Sequence, residues 1–315
     1  MTEIILETRN LTRKFGHVSA VNDLTFQVNK GEVFGFLGPN GAGKTTSINM
    51  ICGLLEPTSG SVILKGKTLD TRNPNIRRMI GMCPQNIVLW ERLTCMEQLE
   101  FMAQMYGISG QLARESSMRL LEDLGLEEKR DSLASTLSGG MQRRLNLAMA
   151  LVHDPEIVIL DEPEAGLDPQ SRVKVREYIQ SLARRKTVIV TTHNMDEADR
   201  VADRVAIIDH GELLVLDTPE KLKQSLGEGD LIEIHLTNGL RDVTLAAGAL
   251  DGISHDVSLE PDAGILKLRA LNAVGNLTEI LEILKNTGFK PGEVTIHANT
   301  LEDVFIQLTG RRLRE

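Results

Sequence analysis

Short strand-like segments recur along the first two thirds of the chain, and several of them are apolar without polar alternation. They lie at 24–28, 33–37, 61–64, 80–83, 157–160, 187–191 and 204–208. Apolar runs without alternation are typical of strands that are buried on both faces, as in a parallel sheet covered by helices. The pattern therefore predicts an α/β fold built on a mixed, largely parallel sheet.

Between residues 96 and 153 the periodicity changes from strand-like to helical. Leu99, Met102, Ala103 and Tyr106 follow one another at i, i+3, i+4 and i+7, which places them on one face of a helix. We expect a mostly helical insertion here, forming a helical subdomain over about 86–153. A hairpin over 209–216 is expected to close this first part of the chain.

A smaller pattern follows a glycine-rich boundary at 227–230, after a connector that we place at 217–230. Expected strands lie at 231–236, 253–257, 265–268 and 293–297, and expected helices at 243–250, 276–285 and 301–308. The strand and helix order βαββαβ predicts a small C-terminal α+β domain of ferredoxin-like topology over 231–315. The basic end at 311–314 predicts a solvated tail, with contact to a membrane surface as the alternative.

Composition limits the classes of protein to consider. A length of 315 residues with 41% hydrophobic content allows one large or two ordinary domains with buried cores. The cysteines Cys52, Cys83 and Cys95 are odd in number and lack zinc-ligand spacing, which predicts free thiols in the reducing cytoplasm. Without a leader-like start or a membrane-length apolar run, we expect a soluble chain. The net charge of −9 argues against nucleic acid as a main partner.

The most informative motif is a glycine-rich segment between the apolar run 33–37 and the helix-like run 47–51. Glycines leave backbone N–H groups free to wrap phosphate oxygens, and the helix directs its positive end at the same anion. Lys44 is predicted to reach the β- and γ-phosphates of a nucleotide, and the Thr45 hydroxyl to bind Mg²⁺. An ordinary glycine-rich turn does not explain the strand before and the helix after. The predicted phosphate loop consists of Gly38, Pro39, Asn40, Gly41, Ala42, Gly43, Lys44, Thr45 and Thr46.

Two adjacent carboxylates, Asp161 and Glu162, follow the apolar strand at 157–160. Asp161 is predicted to hold Mg²⁺ through its water shell, and Glu162 to polarise the water that attacks the γ-phosphate. The alternative is a strand that ends in solvated acids. The phosphate loop earlier in the same chain favours the catalytic interpretation.

A second loop with anion-binding character precedes the helical run at 143–152. Ser138 is expected to cap that helix, while Gly139 and Gly140 expose backbone donors at its N-terminus. Two phosphate-binding elements in one chain make sense if each completes a nucleotide site on a different subunit, so we expect a dimer. Taken alone, the loop is better explained as a plain helix cap with a flexible Ser-Gly-Gly lead, and only the other motifs favour the anion-binding interpretation.

Through these three motifs the chain resembles the ATP-binding-cassette (ABC) family over roughly residues 4–216. The resemblance implies a P-loop NTPase cassette that binds and hydrolyses ATP with Mg²⁺. It implies further that Phe15 stacks on adenine, and that Gln85 senses Mg²⁺, the attacking water and the membrane partner. His193 would contact the γ-phosphate, and Asp168 would communicate across a head-to-tail dimer. The catalytic residues expected on these grounds are Lys44, Gln85, Glu162 and His193.

The chain departs from the family's usual pattern at a few positions. Glu164-Ala165 stands where Thr-Ser is common, so a hydroxyl at the dimer seam is missing and an extra carboxylate stands near the site. This puts cross-subunit coupling there in doubt. Met141 replaces the more common Gln, and Phe15 replaces the usual Tyr, but neither change removes a group that the chemistry needs.

The segment 300–310, together with the small domain before it, resembles the drug- and polysaccharide-exporter branch, with daunorubicin-resistance-type proteins as the nearest likeness. This implies a peripheral subunit at the cytoplasmic face of the membrane, paired with separate ABC-2-type permease subunits. It would act as a homodimer or with a second cassette.

Trp90 lies where the family's cassette grips a cytoplasmic helix of the permease, and a tryptophan buried in the helical subdomain is the alternative. A soluble cassette ATPase that acts on a ribosome or nucleic acid is the alternative function. A nucleotide-binding regulator with little turnover is a further one. The motifs do not indicate the transported substance.

Overall fold

The computed structural model describes residues 3–70, 73, 76, 78–227, 229–237, 243–250, 252–260 and 264–310, without the side chains at 243–245 and 255–256. The chain divides into a first unit that ends at Thr218 and a second unit that begins at Pro219. The basic tail predicted at 311–314 lies outside the described residues. None of the described helices is long and apolar enough to cross a membrane.

The first unit alternates strands and helices. In chain order its elements are β1 (Ile4–Phe15), β2 (Val18–Asn29), β3 (Val33–Leu37), α1 (Lys44–Ile51), β4 (Ser59–Leu64), β5 (Lys67–Thr68), β6 (Ile80–Cys83), α2 (Cys95–Met105), α3 (Gly110–Asp123), α4 (Gly139–Leu151), β7 (Ile157–Asp161), α5 (Pro169–Leu182), β8 (Thr187–Thr192), α6 (Met195–Val201), β9 (Arg204–Asp209) and β10 (Glu212–Asp217). All seven predicted strand segments of this unit lie within observed strands, and the predicted hairpin is formed by β9 and β10.

A six-stranded sheet in the order β10-β9-β3-β8-β7-β6 forms the centre of this unit. Only β10 runs antiparallel to its neighbour, so the prediction of a largely parallel sheet is confirmed. Strands β3, β7 and β8 are buried along their whole length. Because parallel strands align their carboxyl ends, the segments that follow β3, β7 and β8 meet at one edge of the sheet.

The two faces of the central sheet pack against different layers. Alternate β7 residues face opposite ways, since Ile157 and Ile159 pack with α1 and β2, whereas Val158 and Leu160 pack with α2 to α5. The predicted helical segment thus contains three α-helices, α2, α3 and α4, and two short 3₁₀ helices at Glu127–Lys129 and Ala134–Thr136. All three cysteines are free, as predicted, and burial raises the pKa of the Cys52 thiol to about 12.

A second sheet in the order β2-β1-β4-β5 covers the α1 side of the unit. The sequence pattern did not predict β1. Its pairing with β2 shifts register between Ile4 and Leu6 and again between Thr8 and Leu11. Such bulges interrupt the alternation of buried and exposed residues, so β1 carries no simple period of two.

The second unit has its own apolar core. Its elements are α7 (Pro219–Gln224), β11 (Asp230–Leu236), α8 (Val243–Ala249), β12 (His255–Glu260), β13 (Ile265–Ala270), α9 (Ala273–Asn286), β14 (Pro291–His297) and α10 (Leu301–Thr309). The antiparallel sheet order β12-β13-β11-β14 confirms the ferredoxin-like topology. The strand predicted at 253–257 starts later, at His255. The Asn299 side chain donates to the carbonyl oxygens of Lys223 (3.1 Å) and Gly227 (3.2 Å), which both lie in the predicted connector.

Candidate active site

The phosphate loop (residues 38–46) leads from β3 directly into α1, which begins at Lys44. Two of its glycines have no room for a side chain. A Cβ atom at Gly38 would lie 2.4 Å from the Ile208 carbonyl oxygen, and one at Gly43 would lie 2.5 Å from the Ala20 carbonyl oxygen. Gly43 also has a φ of 100°, which side chains disfavour. The close packing therefore fixes the shape of the loop.

The Lys44 side chain is buried at the centre of this loop. Its ammonium donates to the carbonyl oxygens of Gly38 (2.6 Å) and Pro39 (3.1 Å), and it lies 3.8 Å from Glu162 Oε1. Burial lowers the pKa of Lys44, whereas the charges of Glu162 and Asp161 raise it. The loop thus holds one cation that faces the two carboxylates at the end of β7.

Asp161 is the last residue of β7 and is 2% exposed. The Thr191 hydroxyl donates to its Oδ1, and the Thr45 hydroxyl lies 3.4 Å from its Oδ2. Among the described residues no group of three or more His, Cys, Asp or Glu side chains could hold a metal. A hydroxyl and one carboxylate suit Mg²⁺, which is usually bound by few protein oxygens together with substrate phosphates.

Glu162 follows Asp161 in the left-handed region, with a φ of 48°. Its N–H donates to both the carbonyl oxygen (3.0 Å) and the hydroxyl (3.1 Å) of Thr191 on β8. Its Oε1 lies 3.0 Å from His193 Nδ1, and the Gln85 amide donates to its Oε2 at 3.4 Å. The structure therefore gathers Lys44, Gln85 and His193 around one buried carboxylate.

Phe15 lies apart from this group, at the end of β1, and is 49% exposed. It is not a core residue. The guanidinium carbon of Arg13 lies 4.6 Å from the centre of its ring, within range of a cation–π contact. The same guanidinium donates to the Glu56 carbonyl oxygen at 2.8 Å, which fixes one side of the aromatic ring.

The second loop caps α4 as predicted, since the Ser138 hydroxyl accepts from the Met141 N–H at 3.3 Å. A Cβ atom at Gly140 would lie 2.2 Å from Ser171 Oγ and 3.5 Å from Asp168 Oδ2. Asp168 in turn caps α5 by accepting from the Ser171 N–H and hydroxyl, which lowers the pKa of its carboxyl. Gly139 is the first residue of α4 and is exposed.

A second group of predicted site residues thus consists of Ser138, Gly139, Gly140 and Asp168. In the described part of the chain, no hydrogen bond or ion pair joins Ser138, Gly139 or Gly140 to the phosphate loop. The two predicted phosphate-binding elements of one chain are therefore not linked directly by any of these interactions.

Two positions that the sequence left open are resolved. Glu164 is 3% exposed, and the Arg176 guanidinium donates to both of its oxygens, at 3.1 Å and 2.6 Å. The extra carboxylate is therefore paired with Arg176 and is not an uncompensated charge near the phosphate loop. Trp90 is 42% exposed and meets Phe101 edge-on, with ring centres 5.2 Å apart. Its interpretation as a buried tryptophan is wrong.

Two residues that contact this site were not predicted from the sequence. The Thr191 hydroxyl donates to the Asp161 carboxylate and accepts from the Glu162 N–H. The sequence feature that could have indicated Thr191 is its position at the end of a buried strand. Arg143 contacts the main chain of Asp161 and Glu162. Its signal was a pair of adjacent arginines opening an otherwise largely apolar helical run.

Comparison with known proteins gives consistent matches. The family model described as "ABC transporter" matches residues 21–165. The chain is 35% identical to the linearmycin resistance ATP-binding protein LnrL of Bacillus subtilis (strain 168), covering 99% of this chain and 100% of that protein. It is 38% identical to the Nod factor export ATP-binding protein I of Burkholderia orbicola (strain AU 1054), covering 98% of each.

A solved structure adds a match at the level of the fold. It is the dimeric post-hydrolysis state of the ATP-binding cassette MJ0796 bound to ADP and Pi, with a TM-score of 0.62 and 29% identity. The match covers 68% of this chain and 98% of that cassette.

Proposed function

The chain belongs to the ABC transporter family as an ATP-binding and ATP-hydrolysing exporter subunit, and we propose that Glu162 is its catalytic base. The observation that carries this proposal is the environment of one carboxylate. Glu162 is 6% exposed, and Lys44, Gln85 and His193 all lie within 3.8 Å of its oxygens. Phosphoryl transfer to water requires a residue that positions the water and groups that stabilise charge on the phosphate. The buried Glu162 carboxylate and the three side chains around it meet both requirements.

The proposed division of labour follows from charge and position. Glu162 orients the attacking water and accepts its hydrogen bond, while Lys44 stabilises negative charge on the β- and γ-phosphates. His193 contacts the γ-phosphate from the end of β8. Because the transition state of phosphoryl transfer is loose, positioning and electrostatics supply most of the acceleration. Phe15 offers the free face of its ring to adenine.

The donor set fits Mg²⁺, and Thr45, Asp161 and Gln85 are the residues that would hold it. The bound cation supplies neutralisation of charge on the phosphates. Thr191 keeps the Asp161 carboxylate in place by donating to Oδ1, which leaves Oδ2 directed towards Thr45.

We further propose that two cassettes act together, either as a homodimer or with a second cassette. In such a pair Ser138, Gly139 and Gly140 of one subunit complete the nucleotide site of the other. The lack of a hydrogen bond or ion pair between the two loops among the described residues supports this arrangement, as does the dimeric state of the matching cassette.

Separate permease subunits are the proposed membrane partners, with the chain bound at the cytoplasmic face. The relatives' names, which refer to resistance and export, support an exporter rather than a ribosome- or nucleic-acid-directed ATPase. The exposed Trp90 and Phe101 offer an apolar surface on the helical subdomain for that contact.

The catalytic proposal is tested by steady-state ATP hydrolysis of the purified chain with Mg²⁺. Glu162→Gln should lower kcat by about 10²- to 10⁴-fold, as expected for loss of a general base, with the Kd for ATP unchanged. Glu156→Gln is the matched control, because Glu156 is exposed and pairs with Lys65 away from the site. Retained turnover in Glu162→Gln would show that another group activates the water.

A further inference from the structure

Arg143, at the start of the second turn of α4, reaches the catalytic residues from the helical subdomain. It is 2% exposed. A guanidinium carries five N–H donors, and here five main-chain carbonyl oxygens receive hydrogen bonds. Nε donates to Pro163 (3.1 Å), Nη1 to Pro84 (2.6 Å) and Gln85 (3.0 Å), and Nη2 to Asp161 (2.7 Å) and Glu162 (2.8 Å).

A buried cation is costly unless its donors are all satisfied. No ion pair of the described residues includes Arg143, so carbonyl dipoles alone hold its charge. These carbonyls come from two segments, the one after β6 and the one after β7. The guanidinium therefore ties both segments to each other and to α4.

The contact with Glu162 has a specific consequence. Its main chain is in the left-handed region, which a residue with a side chain keeps only when its surroundings enforce it. Thr191 holds the Glu162 N–H, and Arg143 holds its carbonyl oxygen. Arg143 also donates to the Asp161 carbonyl oxygen, so it contacts the peptide groups on both sides of Glu162, while Thr191 fixes the N–H of the first.

We propose that Arg143 is a positioning residue. It sets the geometry of Glu162 and Gln85 for the attacking water, and it couples that geometry to the position of α4. This inference rests on the proposed catalytic role of Glu162. Ser138 caps the same helix, so a displacement of α4 by the nucleotide bound to the partner subunit moves the guanidinium that holds Glu162. Hydrolysis at one site thereby becomes sensitive to contacts that the same chain makes at the other.

The next residue provides a matched control. Arg144 is 6% exposed and donates to the carbonyl oxygens of Leu124 (2.5 Å), Gly125 (3.2 Å) and Gly140 (3.4 Å). Among the described residues, no hydrogen bond joins Arg144 to Gln85, Asp161 or Glu162. Arg143→Gln and Arg144→Gln therefore each remove one buried positive charge. Only Arg143→Gln also removes the hydrogen bonds to the main chain of Glu162 and Gln85.

The test compares the full-length variants by kcat, by KM, by the Kd for a fluorescent ATP analogue and by Tm. Arg143→Gln should lower kcat by about 10- to 100-fold, because small displacements of catalytic groups have effects of that size, with Kd within about threefold. Arg144→Gln should lower Tm to a similar degree with a much smaller change in kcat. Arg143→Lys keeps the charge with fewer donors and should give an intermediate kcat.

Two measurements separate positioning from general destabilisation. Guanidinium ion at millimolar concentration should raise the kcat of Arg143→Gly but not of Arg144→Gly. In the Glu162→Gln background, Arg143→Gln should lower kcat no further, because both changes affect one step. Wild-type kcat in Arg143→Gln, or equal losses of kcat, affinity and Tm in the two arginine variants, would overturn the proposal. An active Glu162→Gln protein would instead refute the catalytic role on which it rests.

Discussion

Arg176→Met should destabilise the first unit more than Glu164→Gln, although both substitutions break the same ion pair. The two partners differ in exposure, since the Glu164 side chain is 3% exposed and the Arg176 side chain is 20% exposed. Without Arg176, a buried carboxylate is left without its cation. Burial raises the pKa of Glu197, and the charge of Glu164 raises it further, so the variant also leaves Glu164 uncompensated near a second carboxylate.

The magnitude follows from this asymmetry. Removing one partner of a buried ion pair costs about 3–5 kcal/mol, and we expect Arg176→Met in that range. Glu164→Gln keeps one acceptor for a guanidinium that is partly hydrated, so a cost of about 1–2 kcal/mol is expected. For a unit of this size, 1 kcal/mol corresponds to about 2–4 °C in Tm. Arg176→Met should therefore lower Tm by about 6–20 °C.

Urea denaturation followed by the fluorescence of Trp90 measures the free energy of unfolding of the first unit, because Trp90 is the chain's one tryptophan and lies in that unit. The measurement is made at pH 7.5 and pH 5.5. An unpaired buried carboxylate has a raised pKa, so its protonation at lower pH relieves the cost. The penalty of Arg176→Met should shrink at pH 5.5.

The double variant Arg176→Met/Glu164→Gln removes the uncompensated charge and should be more stable than Arg176→Met alone. A cost of Arg176→Met equal to or below that of Glu164→Gln would refute the reasoning. So would a penalty that does not change with pH.

Three further predictions concern the phosphate loop, the half-buried His153 and the second unit. Lys44→Ala should weaken binding of a fluorescent ATP analogue about 10- to 100-fold, the value of a charge-assisted hydrogen bond, and undiminished affinity would mean that the phosphates bind elsewhere. Burial lowers the pKa of His153, so below its ordinary pKa of about 6.5 the unfolded chain takes up a proton that the folded chain does not. Stability should fall from pH 7 to pH 5, and Tm should depend less on pH in His153→Asn than in the wild type. We expect a chain that ends at Thr218 to keep Mg-ATP binding, since every predicted nucleotide residue precedes it, and a folded truncation that fails to bind would contradict this.

The strands of the central sheet could be predicted because burial on both faces requires apolar residues throughout. This holds for β3, β7 and β8. It fails for β1, where bulges break the alternation. The pattern also set the start of β12 too early.

The predicted site residues came from local motifs, whereas their partners depend on tertiary contacts. An arginine in a helix is usually solvated, and Arg143 is buried only because carbonyls from two distant segments converge on it. Likewise, Glu164 stands out in the sequence as a departure from the family's usual residue. That Arg176 neutralises it depends on how α5 packs, which no spacing rule gives.

Two chains are proposed to share each ATP site. Size-exclusion chromatography with light scattering on Glu162→Gln, in which bound ATP should stay uncleaved, tests this. We expect a dimer with ATP and a monomer with ADP, and adding Ser138→Arg should abolish the dimer by placing a bulky side chain in the seam. A strictly monomeric Glu162→Gln protein that binds ATP stoichiometrically, or a dimer that ADP supports equally, would contradict the shared site.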